Sequence, residues 1–374
     1  MEKVVIAPGS FKGALTAQQA ADIIAGEVSA AFPDCVIVSL PIHGLGECNV
    51  DMIIPKTGGK IYEAQVISPD DRQITANYGI TAYGTAIIEM SQSSGITRQI
   101  GYHPMTSSTY GLGQTIMSAI QWGARDFVIC PRDGATTDGG CGMAAALGVR
   151  FIDEQGNSFI PCGDTLGKIV SIDTSGIDMR TTWSKFTILH DVETPLFGIN
   201  GAAHVDGPKK GADPEQVKKL DEGLRHLGTL LYECFGKDYA NIPGAGAGGG
   251  LGAGCMALLG ANLVNRTEVM IKLCGFKKKI AHADLIITGE GKLDTHSFHG
   301  RILSCILRDA GKVPVWSICG VCEYNEALMC KHNLIVFETR EGISIEESMN
   351  KPAKYLRNTA RKAVQYMKFF SQDF

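Results

Sequence analysis

Both ends of this chain repeat one local pattern, a short β-branched strand, a glycine-containing loop and a helix. Near the amino terminus the run Val4 to Ala7 stops at a Pro-Gly pair, Thr16 stands as a polar cap, and an Ala/Ile-rich stretch follows from Ala17 to Phe32. A second apolar strand, Cys35 to Pro41, comes next. A strand-helix-strand unit favours a parallel sheet, with ligand loops at the carboxyl ends of the strands.

The pattern returns late in the chain. The apolar run Ala283 to Thr288 leads into the loop GEGKLDTHSFHGR and then a helix near Ile302 to Ala310. Val313 to Cys319 and Leu334 to Glu338 have the composition of further buried strands. We therefore predict that the two ends of the chain pair in one sheet.

The middle of the chain is richer in Gly and Thr. Alternating apolar residues from Ile61 to Val66 and from Ile74 to Ile80 predict antiparallel strands, and helices are expected at Gly111 to Trp122 and Pro214 to Phe235. A length of 374 residues exceeds what one compact domain usually carries. We predict an α/β protein of two domains, one built from residues 1–61 and 282–374 and the other inserted as residues 62–281.

Composition excludes several classes of function. Lys and Arg number 35 against 39 Asp and Glu, and no basic stripe with interleaved aromatics is present, so nucleic acid is not an expected partner. No apolar run approaches the ~20 residues that span a bilayer, and no secretory segment is evident at the amino terminus. The twelve cysteines are scattered singly, which is typical of reduced thiols in a soluble cytoplasmic protein.

A glycine-rich loop, PGAGAGGGLGAG at 243–254, precedes the apolar run Cys255 to Leu259. Backbone amides at a helix start attract phosphate, so this loop is a candidate anion site. The alternative interpretation is a flexible turn or close helix packing. The loop has neither the ending of a Walker motif nor the context of a dinucleotide fingerprint. Its candidate phosphate-binding glycines are Gly244, Gly246, Gly248 and Gly249.

Two further loops carry acids. In DGATTDGGCGM, Asp138 is a candidate ligand for magnesium or for a substrate hydroxyl, and the alternative is an acid that caps the following helix. The loop after Ala283 to Thr288 concentrates ionisable groups at a strand end, which is typical of a functional site. These groups are Glu290, Lys292, Asp294, His296, His299 and Arg301.

Three short segments add matching chemistry. Ser10 and Lys12 stand in APGSFKGALTA, Asp191 follows an expected strand in HDVETPL, and Lys210 lies between glycines in DGPKKGA. Acids that hold magnesium or accept a proton, lysines that neutralise phosphate oxygens, and amide-rich loops are the parts that phosphoryl transfer requires.

With these motifs, the sequence resembles the bacterial glycerate kinases of the type that forms 2-phosphoglycerate. The resemblance covers nearly the whole chain and runs through seven segments in order: APGSFKGALTA, TSSTYGLG, ATTDGGCGMAAALG, HDVETPLFGINGA, GPKKGA, PGAGAGGGLGAG and DLIITGEGKLDTHSFHGR. It implies a flavodoxin-like domain built from both chain ends and a second, inserted α/β domain. It also implies ATP, Mg²⁺ and a small hydroxy acid as ligands.

The motifs and the resemblance together give a set of candidate site residues. Asp191, Asp294 and Lys12 are expected to be catalytic, and Asp191 and Glu290 to hold the metal. Substrate and phosphate binding is expected from Ser10, Asp138, Lys210, Gly244, Gly246, Gly248, Gly249, Glu290, Lys292 and Arg301.

The chain departs from the family pattern at two acids. Gly9 stands where the family usually has the acid of APDSFKGS, and Gly44 replaces an acid of ADGGEGT. Loss of a carboxylate that orients magnesium or a nucleophile lowers a rate about a hundredfold or more. An active kinase and a non-catalytic binding paralogue are therefore both open hypotheses, as is association into a homo-oligomer. A nicotinamide-dependent oxidoreductase is disfavoured by the context of the glycine loops.

Overall fold

The computed structural model describes residues 1–11, 13–42, 50–190, 192–273, 275–298, 301–323, 334–340 and 342–370. Lys12, Gly44, Asp191 and His299 lie outside the described residues. The strands, in chain order, are β1 Lys3–Ile6, β2 Val36–Ser39, β3 Lys60–Ile67, β4 Gln73–Ile80, β5 Thr85–Glu89, β6 Asp126–Cys130, β7 Arg150–Ile152, β8 Ser158–Phe159, β9 Ser171–Asp173, β10 Lys185–His190, β11 Asn262–Asn265, β12 Leu285–Leu293, β13 Val315–Cys322 and β14 Leu334–Glu338.

The helices are likewise numbered along the chain. They are α1 Ala17–Ala31, α2 Val50–Lys56, α3 Met90–Ser94, α4 Tyr110–Gln121, α5 Cys141–Ala146, α6 Met179–Thr182, α7 Ala202–Asp206, α8 Pro214–Phe235, α9 Ala247–Leu259, α10 Arg266–Leu273, α11 Phe276–Lys279, α12 Ile302–Ala310, α13 Ile345–Asn350 and α14 Pro352–Phe370. In the described part of the chain, no helix combines the length and the apolarity that crossing a membrane requires.

The chain divides into two compact units, which we call unit 1 (residues 1–47 and 266–374) and unit 2 (residues 48–265). The bounds predicted from the sequence were 61/62 and 281/282. Packing within each unit accounts for the difference. Helix α2 packs on β4, where Ile54 fills the space above Gly79, and α10 packs on α12.

Unit 1 contains a parallel sheet in the order β14-β13-β12-β1-β2. Strand β1 pairs with β2 on one side and β12 on the other, with Val5 opposite Val38 and Ile286. The two chain ends therefore share one sheet, as the sequence predicted, and the α/β fold class is confirmed. Counted along the chain, the strands follow the doubly wound order 2-1-3-4-5 of flavodoxin-like folds.

The burial of strand β1 reflects helices that cover both faces of this sheet. Its residues Val4, Val5 and Ile6 are fully buried. Val4 and Ile6 pack in the apolar cluster that includes α1 and α14, whereas Val5 packs in the cluster that includes α12. Successive side chains point to opposite faces of a strand, so a continuous apolar run places helices on both faces. Thr16 starts α1 with a capping box to Gln19.

Unit 2 contains a six-stranded sheet in the order β11-β10-β6-β5-β4-β3 and a smaller sheet in the order β8-β7-β9. Strands β3 and β4 pair antiparallel along their whole length, as predicted, whereas β5, β6, β10 and β11 run parallel. The rings of Phe127 and Phe186 stack between neighbouring parallel strands, with centroids 4.8 Å apart. The carboxyl ends of β5, β6 and β10 thus meet at one edge of the sheet.

Two of the sequence-based boundaries were far from the observed ones. Strand β12 continues to Leu293, so Glu290 and Lys292 lie within a strand rather than in the loop that follows it. Helix α9 begins at Ala247, inside the glycine-rich segment, although Gly248 to Gly250 depart from helical dihedral angles. In both places glycines made a loop the natural prediction, because glycine lacks the side chain that signals a regular element.

Candidate functional site

The edge of the unit 1 sheet has a topological switch point between β1 and β12. From β1 the chain continues through α1 to β2 on one side, and from β12 through α12 to β13 on the other. The two strand ends are joined there, because the Gly9 amide donates to the Gly289 carbonyl at 2.8 Å. Open α/β sheets bind ligands in the crevice at such a point.

A cavity of about 420 Å³ lies at this switch point, within unit 1. It brings together five candidate residues from two distant stretches of sequence. Ser10 comes from the segment after β1, Glu290 and Lys292 from the end of β12, and Asp294 and Arg301 from the loop before α12. The clustering of ionisable residues noticed in the sequence therefore corresponds to one cavity.

The charges in this cavity are coupled. Burial raises the pKa of Glu290 to about 7, aided by the charge of Asp294 and opposed by a hydrogen bond from Ser297 and the positive charge of Arg301. Arg301 Nη1 lies 3.7 Å from Asp294 Oδ1, and Lys292 Nζ lies 2.8 Å from Glu323 Oε2. A pKa near neutrality makes the charge of Glu290 sensitive to its surroundings. A cation in the cavity would therefore favour the ionised form of Glu290 over the protonated form.

An apolar part of the cavity lining was not predicted from the sequence. It contains Phe11 and Leu15 from the segment before α1, and Met349, Pro352 and Leu356 from the carboxyl-terminal helices α13 and α14. Those helices contain none of the motifs identified in the sequence. The available signal was only the amphipathic pattern of residues 352–370, which indicates packing rather than ligand binding.

Carboxylates in the cavity fit magnesium. Among the residues the structure describes, no group of three or more His, Cys, Asp or Glu side chains is arranged to hold a metal. Magnesium needs fewer protein side chains than that, because it retains several waters and is bound through one or two carboxylates together with substrate phosphates. Glu290 and Asp294 both line the cavity and interact electrostatically, so they supply two suitable oxygen donors.

The glycine-rich segment of unit 2 is packed tightly. Gly248, Gly249 and Gly250 have φ values of 64°, 74° and 92°. The Gly246 amide donates to the Thr194 carbonyl at 2.9 Å, and the Gly249 amide to the Gly246 carbonyl at 3.1 Å. A Cβ on Gly249 would lie 2.0 Å from the Thr136 carbonyl oxygen. These contacts favour close packing over an anion cradle.

The neighbouring glycine, Gly244, has the same kind of explanation. A Cβ there would lie 2.6 Å from Nδ1 of His190, at the end of β10. The absence of a side chain at Gly244 therefore allows the loop to approach the carboxyl edge of the unit 2 sheet.

Asp138 is fully buried in unit 2. Its Oδ2 accepts hydrogen bonds from the Thr109 amide and hydroxyl, both at 2.7 Å, and from the Gly142 amide at 3.2 Å, while Oδ1 accepts from the Gly140 amide at 3.2 Å. Burial raises the pKa of Asp138, and these donors oppose that effect. The arrangement favours the interpretation in which Asp138 secures the start of α5 over direct contact with a ligand.

Lys210 is also buried, with 4% of its surface exposed. Its Nζ donates to the Thr136 carbonyl at 2.6 Å, and burial lowers its pKa to about 8. The hydroxyls of Thr136 and Thr137 are buried and have no hydrogen-bond partner among the described residues. Sequence spacing gave no indication of this burial, because glycines on both sides of a lysine pair are typical of an exposed turn.

Comparison with known proteins decides the family. The model of the glycerate kinase family matches residues 4–368. This chain belongs to the glycerate kinase family. Within that family, a glycerate kinase of Bacillus cereus is 36% identical over 377 residues, covering 99% of both chains. A glycerate 2-kinase of Escherichia coli is 35% identical over 337 residues, covering 89% of this chain and 88% of the relative.

A solved structure agrees with the family assignment. The crystal structure of a Salmonella typhimurium LT2 protein assigned as a glycerate kinase 2 superposes with a TM-score of 0.73 at 31% identity, covering 99% of each chain. Kinase family membership and the mixed α/β fold with parallel sheets are therefore both shown.

Proposed function

We propose that this glycerate kinase family member phosphorylates glycerate, or a closely related small hydroxy acid, with ATP. The observation that supports the proposal best is the cavity at the unit 1 switch point, where two cations and two acids converge. Phosphoryl transfer depends on positioning and on neutralising the charge of the transferred group, so such a cluster matches the chemistry of the family.

The residues of the cavity have complementary tasks in this proposal. Lys292 and Arg301 neutralise phosphate oxygens, and the Ser10 hydroxyl donates a hydrogen bond to the bound anion. Magnesium, when bound, neutralises charge on the phosphates, and Glu290 and Asp294 would hold it. The sequence also proposes Asp191 and Lys12 as catalytic, and both lie outside the described residues.

A coupled assay for ADP release tests the proposal. Purified protein with ATP, magnesium and glycerate is expected to release ADP, and a panel of three- to six-carbon hydroxy acids identifies the preferred substrate. Arg301→Ala should lower kcat/KM for ATP about a hundredfold or more, because an arginine that stabilises phosphoryl transfer contributes at least that much.

Arg308→Ala is the matched control, since Arg308 lies on α12, the helix that Arg301 precedes, and pairs with the exposed Glu268. This variant should retain activity within about threefold. Absence of ADP release with every acid in the panel would overturn the proposal, and saturable binding of ligand without turnover would then favour the non-catalytic paralogue.

A further inference from the structure

The lining of the unit 1 cavity combines two kinds of side chain. Glu290, Lys292 and Arg301 are charged, whereas Phe11 and Met349 are apolar. The apolar side chains are packed against the fold. The Phe11 ring packs against Gly289 of β12, where a Cβ would lie 3.3 Å from the Phe11 Cζ, and Met349 reaches Gly13, where a Cβ would lie 3.3 Å from its Cε.

Size and polarity then discriminate between the two substrates of the proposed reaction. A three-carbon hydroxy acid has no apolar face, and it would fill a small part of a cavity of about 420 Å³. That volume falls in the range of about 300–1,000 Å³ found for larger organic ligands, whose pockets combine apolar walls with a few polar groups. A nucleotide has both an aromatic ring and an anionic chain.

We infer that the unit 1 cavity is the nucleotide site, with the base against Phe11, Leu15 and Met349 and the phosphates beside Lys292 and Arg301. The inference rests on the proposed function for its choice of ligand. Thr339 also lines the cavity, and its hydroxyl, which donates to the Gly320 carbonyl at 3.4 Å, can still accept a hydrogen bond from the base or the ribose. The glycine segment of unit 2 is a weaker candidate, because its amides at Gly246 and Gly249 already donate to backbone carbonyls.

Met349 provides the test, because 43% of its surface is exposed and its replacement is compatible with folding. Met349→Gln keeps the size and neutrality of the side chain but adds a polar amide. Calorimetric titration should show ADP binding weakened about fivefold or more, with pyrophosphate binding changed less than twofold, because pyrophosphate has no base. Met179→Gln, at an exposed methionine of unit 2, should leave both affinities unchanged.

Three results would overturn the inference. These are wild-type protein that does not bind ADP, a Met349→Gln variant with wild-type ADP affinity, and a variant that weakens ADP and pyrophosphate equally. Turnover is not needed for the measurement. If no hydroxy acid is phosphorylated but ADP binding depends on Met349, the nucleotide site stands and the proposed activity fails.

Discussion

Gly9 is a position at which this chain departs from the family pattern. The resemblance to the family expects an acid there, but Gly9 is buried and its amide holds the Gly289 carbonyl. A Cβ at this position would lie 2.6 Å from Cδ1 of Ile302, the first residue of α12. The space for a side chain at position 9 is therefore occupied by Ile302, and the two positions should be energetically coupled.

Restoring the acid alone is expected to be costly. Gly9→Asp should lower the free energy of unfolding by about 1–3 kcal/mol, because it overpacks a filled space. Adding Ile302→Ala should make the combined loss smaller than the sum of the two single losses by about 1 kcal/mol, since the truncated side chain vacates that space. Urea denaturation of the four proteins in the cycle measures this coupling.

Gly26→Asp serves as the control, because no atom lies within 4 Å of a Cβ at that exposed position of α1. Its effect should stay within about 0.5 kcal/mol. Strictly additive losses for Gly9→Asp and Ile302→Ala would show that the two positions are independent.

At the scale of the element, helix α9 owes its kink to three consecutive glycines. Positive φ at Gly248, Gly249 and Gly250 turns the chain into the left-handed region, where other residues are strained. The turn also brings Gly249 against the Thr136 carbonyl and beside Lys210 Nζ. Gly249 therefore has two reasons to be glycine: its positive φ and the close approach of the Thr136 carbonyl.

A pair of alanine substitutions separates these two requirements. Gly249→Ala should lower the free energy of unfolding by about 3–5 kcal/mol, combining backbone strain with overlap against the Thr136 carbonyl. Gly260→Ala, also at positive φ but with open space around it, should cost about 1 kcal/mol. Equal losses in guanidinium denaturation would mean that close approach contributes nothing at Gly249.

Regular elements and part of the site could be predicted from such local patterns. The bounds of α8, α12 and β14 agree with the sequence prediction, because caps, turns and apolar periodicity coincide there. The acids and cations of the cavity were found because they cluster within twelve residues of a strand. Met349 and Leu356 were not, since only the tertiary packing of α13 and α14 brings them to the switch point. The burial of Lys210 likewise depends on contacts distant in sequence.

In the whole molecule, the two units differ in the number of chain segments from which they are built. Unit 2 is one continuous segment, residues 48–265, with its own apolar clusters around Leu224 and Ile116. Unit 1 needs both ends of the chain, because β1 lies between β2 and β12. A continuous segment with its own core has what independent folding requires.

Residues 48–265 expressed alone are therefore expected to fold. The fragment should show a single cooperative thermal transition and helical circular dichroism. The matching fragment 266–374 lacks β1 and should show no cooperative transition. A fragment 48–265 that melts without cooperativity would contradict the division into units.

The position of β1 also has a consequence for biosynthesis. A ribosome makes β1 and β2 long before the strand that completes the other side of β1, which begins at Leu285. Until β12 is made, the nascent chain therefore presents an unpaired strand edge in which three of the four residues are apolar, the kind of surface that promotes aggregation. Because the unit 1 cavity is lined by residues as late as Leu356, it forms only after that part of the chain has been synthesised.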